Sequence, residues 1–179
     1  MDDRRIVELQ LGRPPRSVVR VEARCHFDLP VVIDVPPLLD DGTPFPTTHY
    51  LTCPPATLRI SRLESAGGVK AADDDIASNS DLAEAWGKAM DRYRSQRDVR
   101  IPEGYEGPRP RGGIAGSQGG VKCLHAQYAD TAAGNQNPIG TRTASAIEPL
   151  DCAMPCVVAS DGVVVKNTGW QEPRPWAGP

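Results

Sequence analysis

Five cysteines and three histidines carry most of the metal-binding and nucleophilic chemistry available to this chain. The cysteines are Cys25, Cys53, Cys123, Cys152 and Cys156; the histidines are His26, His49 and His125. The closest informative pairing lies in GGVKCLHAQYADTAAGNQNPIG (119–140), where Cys123 and His125 follow a run of glycines and precede a helical pattern. Zinc accepts thiolate and imidazole together in a tetrahedron. A helix start also favours a thiolate over a thiol, through its free N–H groups and aligned peptide dipoles. Cys123 and His125 thus read as part of a metal site, or as a thiol nucleophile with His125 or His49 as base. A packed cysteine beside a surface histidine explains the same residues.

Spacing limits these readings. The chain has no C-x-x-C pair, the arrangement that sets two ligands on one turn. Side chains at i and i+2 point apart on an ideal helix, so Cys123 can join His125 only from just outside the first turn. Cys152 and Cys156 flank Pro155 and read as loop residues. The stretch GGIAGSQGGVK offers a different chemistry: Gly119, Gly120 and Lys122 ahead of a helix could cradle the phosphate of a small phosphorylated ligand. It does not fit the P-loop register. Turn chemistry accounts for Asp40 and Asp41, and a solvated acidic face for Asp73–Asp75.

Which thiols meet depends on the elements that carry them. SVVRVEARC (17–25) alternates, with Val19, Val21 and Ala23 on one side and Arg20, Glu22 and Arg24 on the other, as in a half-buried strand. VVIDV (31–35) and TTHYLTC (47–53) supply a second and third strand, separated by a Pro-rich loop. Pro54-Pro55 suits the first turn of a helix that stops at Gly67-Gly68. AADDDIAS is either a short helix or a linker. Another helix starts after Ser80, with Leu82, Ala85, Trp86, Ala89, Met90 and Tyr93 on one face. Residues 99–120 are Pro-, Gly- and Arg-rich and read as a long mobile or functional loop. KCLHAQYADTAA is helical to Gly134, and Asn137-Pro138 opens a last helix.

The expected fold is therefore α+β: a small antiparallel three-stranded sheet covered by three or four helices, with a long Pro/Gly-rich loop. Residues 1–150 form the single domain, and 151–179 an irregular tail whose WQEPRPWAGP end frays; only DGVVV suggests a strand there. In an antiparallel meander, Cys25 and Cys53 fall at the same end of the sheet. A helix packed on that sheet could bring Cys123 to the same end. The expected centre is Cys25, Cys53, Cys123 and His125 with zinc as the candidate cofactor; His26, Cys152 and Cys156 are further candidates.

The net charge of −3 provides no basic field for nucleic acid or anionic lipid. No apolar run approaches the roughly 20 residues that cross a bilayer, and the first residues lack a secretory pattern. Reduced thiols in a cytoplasmic setting are the expectation.

Several segments together resemble a known family: LGRPPR (11–16), ARCHFDLPVVIDVPP (23–37), DGTPFPTTHYLTCP (41–54), ISRLESAG (60–67), VKCLHA (121–126) and NPIG (137–140). The chain is similar over roughly residues 9–140 to the bacterial, mainly actinobacterial, domain of unknown function 501 family. The resemblance brings no activity or cofactor with it, but Cys25, Cys53, Cys123 and His125 all fall on its motif positions. Where many members have a Cys-x-x-Gly-x-Pro turn, this chain has Asp28 in the glycine position, and an aspartate can adopt a left-handed turn conformation, though less readily than glycine. The functional expectation is a binding or accessory protein centred on the Cys/His cluster, taking a protein partner or small ligand. The alternative is an enzyme or sensor that binds a phosphorylated compound at the 112–122 loop.

Overall fold

A computed structural model describes residues 2–173. Strands β1 (Arg20–Arg24), β2 (Pro30–Asp34) and β3 (His49–Leu51) form the expected antiparallel meander in that order. Val32 of β2 faces Leu51 of β3, and Asp34 faces His49. All five residues of β2 are buried, because both faces of this central strand are covered. Val31 and Val32 pack with Ile60, Leu124, Tyr128 and Ile139 from the helices. Ile33 and Val35 pack on the other side with Val7 and Leu39. Each such aliphatic side chain contributes about 1.5–3 kcal/mol on full burial, which fixes the strand's register against both layers.

Among the described residues, six α-helices surround this sheet: α1 (Asp3–Leu11), α2 (Pro54–Ser65), α3 (Gly68–Ser78), α4 (Ser80–Asp98), α5 (Leu124–Ala132) and α6 (Pro138–Ile147). Prolines occupy the first turn of α2, where their missing N–H groups cost nothing. The Asn137 side chain accepts from the Gly140 N–H and starts α6. Asn79 rather than Ser80 caps α4: it is the residue with extended backbone, and its side chain accepts from the Leu82 N–H. The acidic AADDDIAS stretch belongs to α3, held by Ala72, Val69 and Ile76 against the core. Among the described residues, no helix is long and apolar enough to cross a membrane.

Both ends of the described chain hold structure that the local pattern does not announce. Helix α1 runs only nine residues, begins with Asp2 accepting from the Arg4 N–H, and stops at Gly12 in a left-handed conformation. The segment after residue 150, expected to be irregular apart from a strand at DGVVV, contains the hairpin β4 (Val157–Ser160) and β5 (Val163–Lys166), of which β5 takes up that stretch. Asp161 and Gly162 connect them with φ of 50° and 78°, the positive values a two-residue hairpin turn needs. The hairpin closes over α1, where Val157, Ile6 and Leu29 are buried together. The frayed end anticipated for WQEPRPWAGP falls largely on residues 174–179, outside the described ones.

Residues 99–120 are irregular, as expected, but they are anchored. Arg97, 1% exposed, donates to the Gly112 carbonyl at 2.8 Å. Arg100 makes a two-pronged pair with Asp34 at 2.6 and 2.7 Å. A short 3₁₀ turn (Ile114–Gly116) buries Ile114 among Met90, Tyr93 and Ala126. A second buried arginine, Arg59 of α2, donates to the carbonyls of Ile147, Pro149 and Pro173 and so ties the C-terminal segment to the helical layer.

Asp28 has φ of +59°, in the turn closed by hydrogen bonds from the Asp28 N–H to the Cys25 carbonyl and from the Cys25 N–H to the Leu29 carbonyl, both 2.9 Å. Its carboxylate lies 3.6 Å from Arg24 and is largely exposed, so that pair adds little. Asp28→Gly is expected to stabilise the fold by about 0.5 kcal/mol by removing the left-handed penalty, partly offset by a more flexible unfolded chain. Thermal denaturation checks this; an unchanged or lower midpoint would mean that the Asp28 side chain holds the turn.

Candidate functional site

Cys123 is the N-cap of α5, with extended backbone (φ −161°, ψ 122°). It thereby meets the condition that its i,i+2 spacing imposed, standing outside the first helical turn. Its sulfur lies 3.8 Å from His125 Nδ1. The same nitrogen is 3.2 Å from Glu64 Oε1, contributed by the last turn of α2. Glu64 Oε1 also accepts from the Leu124 N–H at 2.6 Å, so the carboxylate caps the helix that carries the other two groups. On the far side of the ring, His125 Nε2 lies 3.2 Å from both the Thr57 carbonyl and Ser61 Oγ. A carbonyl can only accept, so Nε2 carries hydrogen. In the neutral ring the Nδ1 lone pair therefore faces Cys123 and Glu64, the tautomer a metal ligand requires.

Partial burial of His125 opposes protonation, but the Cys123 sulfur and the Glu64 carboxylate outweigh it and push the ring up to about 9. A metal ion would take the proton's place between the same three groups. Their ligand atoms lie within 4.8 Å of one another, and among the described residues no other group of three His, Cys, Asp or Glu is brought so close.

Cys123 and His125 border a cavity of about 530 Å3 whose walls also include His49, Thr57 and Ala115. His49, on β3, bonds through Nδ1 to Asp130 Oδ1 at 3.0 Å. Asp130 is fully buried, and its other oxygen accepts from Arg92 at 2.5 Å and Asn137 at 3.1 Å. Burial raises the Asp130 carboxyl, but the His49, Arg92 and Asn137 contacts together hold it below the usual range. Tyr93 fixes the same strand, its hydroxyl oxygen accepting from the backbone N–H groups of Thr48 and His49. Both histidines considered as bases for Cys123 thus face its cavity.

Cys25 and Cys53 lie elsewhere. They border a separate cavity of about 400 Å3 with Cys152 and Cys156, so the expected set of Cys25, Cys53, Cys123 and His125 does not converge on one point. The meander does bring Cys25 and Cys53 to one end, as argued from strand order. The division arises from α5. Its C-terminal residues Tyr128 and Ala132 reach the four-cysteine cavity, whereas Cys123 stands at the opposite end, about 13 Å away along the helix axis.

The Gly119, Gly120 and Lys122 cradle is filled by the protein itself. Ser117 Oγ meets the Gly119 N–H at 3.3 Å, and the Val121 N–H donates to Asp73 Oδ1 at 2.6 Å. Gly120 adopts φ of +71°, and a Cβ there would stand 3.0 Å from the Asp73 carboxylate. An acidic group already occupies the position an entering phosphate would need, while Lys122 is exposed.

Sequence reasoning singled out neither Glu64 nor Asp130. Each sits near the C-terminal end of its helix, where a negative charge opposes the helix dipole. That mismatch was the available signal of a tertiary role.

The family described as "Protein of unknown function (DUF501)" matches residues 21–145. The chain belongs to the DUF501 family. Cys25, Cys53, Glu64, Cys123, His125 and Asp130 lie within the matched DUF501 region, whereas Cys152 and Cys156 lie beyond it. No curated protein and no solved structure matches the chain.

Because Asp130 is held below its ordinary pKa, its contribution to stability is present above the unfolded value of about 4 and is lost as pH falls through the lower folded value. Urea denaturation from pH 7 to pH 3 should therefore show stability declining at the acid end. Asp130→Asn should cost about 3 kcal/mol at neutral pH, since it leaves Arg92 without its buried partner, and should flatten the acid decline. Wild-type stability in that variant would show that the carboxylate does not hold these elements together.

Proposed function

We propose that this protein is a metal-binding protein whose working centre is a zinc ion held by Glu64, Cys123 and His125. The observation that carries this reading is the convergence of three different ligand types, from two helices, within 4.8 Å. Zinc accepts carboxylate oxygen, thiolate sulfur and imidazole nitrogen, and three protein ligands leave a fourth position for water or a ligand. The outer contacts fit the same role: the Thr57 carbonyl orients the imidazole, and the Leu124 N–H orients the carboxylate.

The open position would face the neighbouring cavity, so the occupant is a small ligand with an oxygen or sulfur donor rather than a chain or a membrane. His49, aligned by Asp130, would take up or return a proton of that ligand. An ion held there would supply Lewis-acid polarisation of that ligand. Five free thiols support a reducing, cytoplasmic setting.

Zinc titration of the metal-free protein should reveal one site that is weakened in Cys123→Ser and in His125→Ala. The loss should exceed the roughly 10–100-fold typical when only an outer hydrogen-bond partner is removed. Equal zinc affinity in wild type and both variants would end the proposal.

A second reading is favoured by the raised His125 pKa, which leaves an imidazolium beside the Cys123 sulfur when no metal is bound. In chelator-treated protein, iodoacetamide should modify Cys123 faster than a free thiol at neutral pH. Zinc should suppress that reaction if the metal reading holds. Fast modification that zinc does not slow favours a thiol nucleophile, and slow modification throughout means a structural cysteine.

A further inference from the structure

The second cluster of thiols has no part in the Glu64–Cys123–His125 centre. Cys25 follows β1, Cys53 caps α2, and Cys152 and Cys156 come from the loop that leads into β4. All four border the cavity of about 400 Å3. They are close enough to act on one another electrostatically: Cys53 feels Cys156, Cys152 and Cys25, and Cys152 and Cys156 each feel Cys25. None is in a disulfide.

Their separation is as informative as their proximity. With zinc–sulfur bonds of about 2.3 Å, a tetrahedral ion draws its sulfurs to roughly 3.8 Å from one another. No three of these four sulfurs come within even 4.8 Å of each other. The cavity they border has a largely apolar wall, including Leu29, Val31, Leu150 and Met154. Four thiols that line one cavity without closing on a single point suit a polynuclear centre, in which each sulfur would bind its own iron.

We propose that Cys25, Cys53, Cys152 and Cys156 hold a [4Fe–4S] cluster in this cavity. On binding, four iron–thiolate bonds form and the four thiol protons pass to solvent, with iron and sulfide supplied by cluster assembly. Several neighbours suit a cluster. Gln10 Nε2 points at Cys156 Sγ from 3.8 Å, a hydrogen bond to cluster sulfur of the kind that tunes potential. Burial raises the Cys53, Cys152 and Cys156 thiols, so binding must displace their protons, and the positive charge of Arg59 partly offsets this at Cys152. His26 Nε2 lies 3.0 Å from the Cys152 carbonyl and fastens the loop to the β1–β2 turn. The cluster would join the sheet, which supplies Cys25, to the hairpin that follows Cys156.

The test uses the full chain purified without oxygen, measuring iron, acid-labile sulfide, zinc and visible absorption. The expected result is brown protein with roughly four irons and four sulfides per chain. Colour should be lost in Cys25→Ser and in Cys156→Ser, with circular dichroism confirming that the variants are folded. Cys152→Ser, on an irregular loop, provides the check if Cys25→Ser fails to fold. Cys123→Ser should keep its full cluster, because it alters only the other centre; this separates the proposal from the zinc reading. Colourless protein, zinc in place of iron, a disulfide among these cysteines, or equal loss of cluster in Cys123→Ser would each overturn it.

Discussion

Asp130 is a carboxylate with no exposed side-chain surface, and much of the architecture follows from the need to satisfy it. A buried charge costs several kcal/mol unless it is paired and fully hydrogen-bonded. Here the partners come from three other elements: His49 on β3, Arg92 on α4 and Asn137 at the head of α6. Apolar packing alone would tolerate several ways of laying these helices on a three-stranded sheet. The requirement that four polar groups meet at one point removes most of them. Asn137 serves twice, since its side-chain oxygen Oδ1 also starts α6 by accepting from the Gly140 N–H.

With α5 fixed in this way, its two ends border different cavities. The N-terminal end presents Cys123 and His125 to Glu64, beside the cavity that His49 also borders. The C-terminal end contributes Tyr128 and Ala132 to the wall of the four-cysteine cavity. The two proposed centres differ in the way their ligand sets differ. A compact mixed set of carboxylate, thiol and imidazole suits one ion with an open position. A wider all-sulfur set around a largely apolar void suits a cluster. Each thiol group is therefore read through its spacing as much as through its identity.

The terminal segments complete the second cavity rather than decorate the domain. The hairpin of β4 and β5 rests on α1, and the loop before it carries Cys152 and Cys156 to the sheet. Arg59 secures that route by donating to carbonyls at Ile147, Pro149 and Pro173 while pairing with Glu172. A guanidinium with 4% exposure is tolerated because these carbonyls accept from both of its terminal nitrogens and the Glu172 carboxylate balances its charge.

Local chemistry in the sequence determined the elements with strong signals. Alternation in 17–25 and the apolar run in 31–35 specified strands, and Pro54-Pro55 and Asn137-Pro138 specified helix starts, while the left-handed turn at Asp28 was implied only by the family resemblance. Even the demand that Cys123 stand outside its helix could be read from i,i+2 geometry. The nine-residue α1 and the four-residue β4 were less legible than β5, because short elements carry too few periods to declare themselves and gain their stability from each other. Only the tertiary structure decided which thiols share a cavity, that Glu64 rather than Cys25 or Cys53 joins Cys123 and His125, and that Asp73 fills the expected phosphate cradle. The physical reason is that periodicity and capping act over a few residues, whereas a ligand set depends on how the ends of separately encoded elements are aligned by packing and by buried charge.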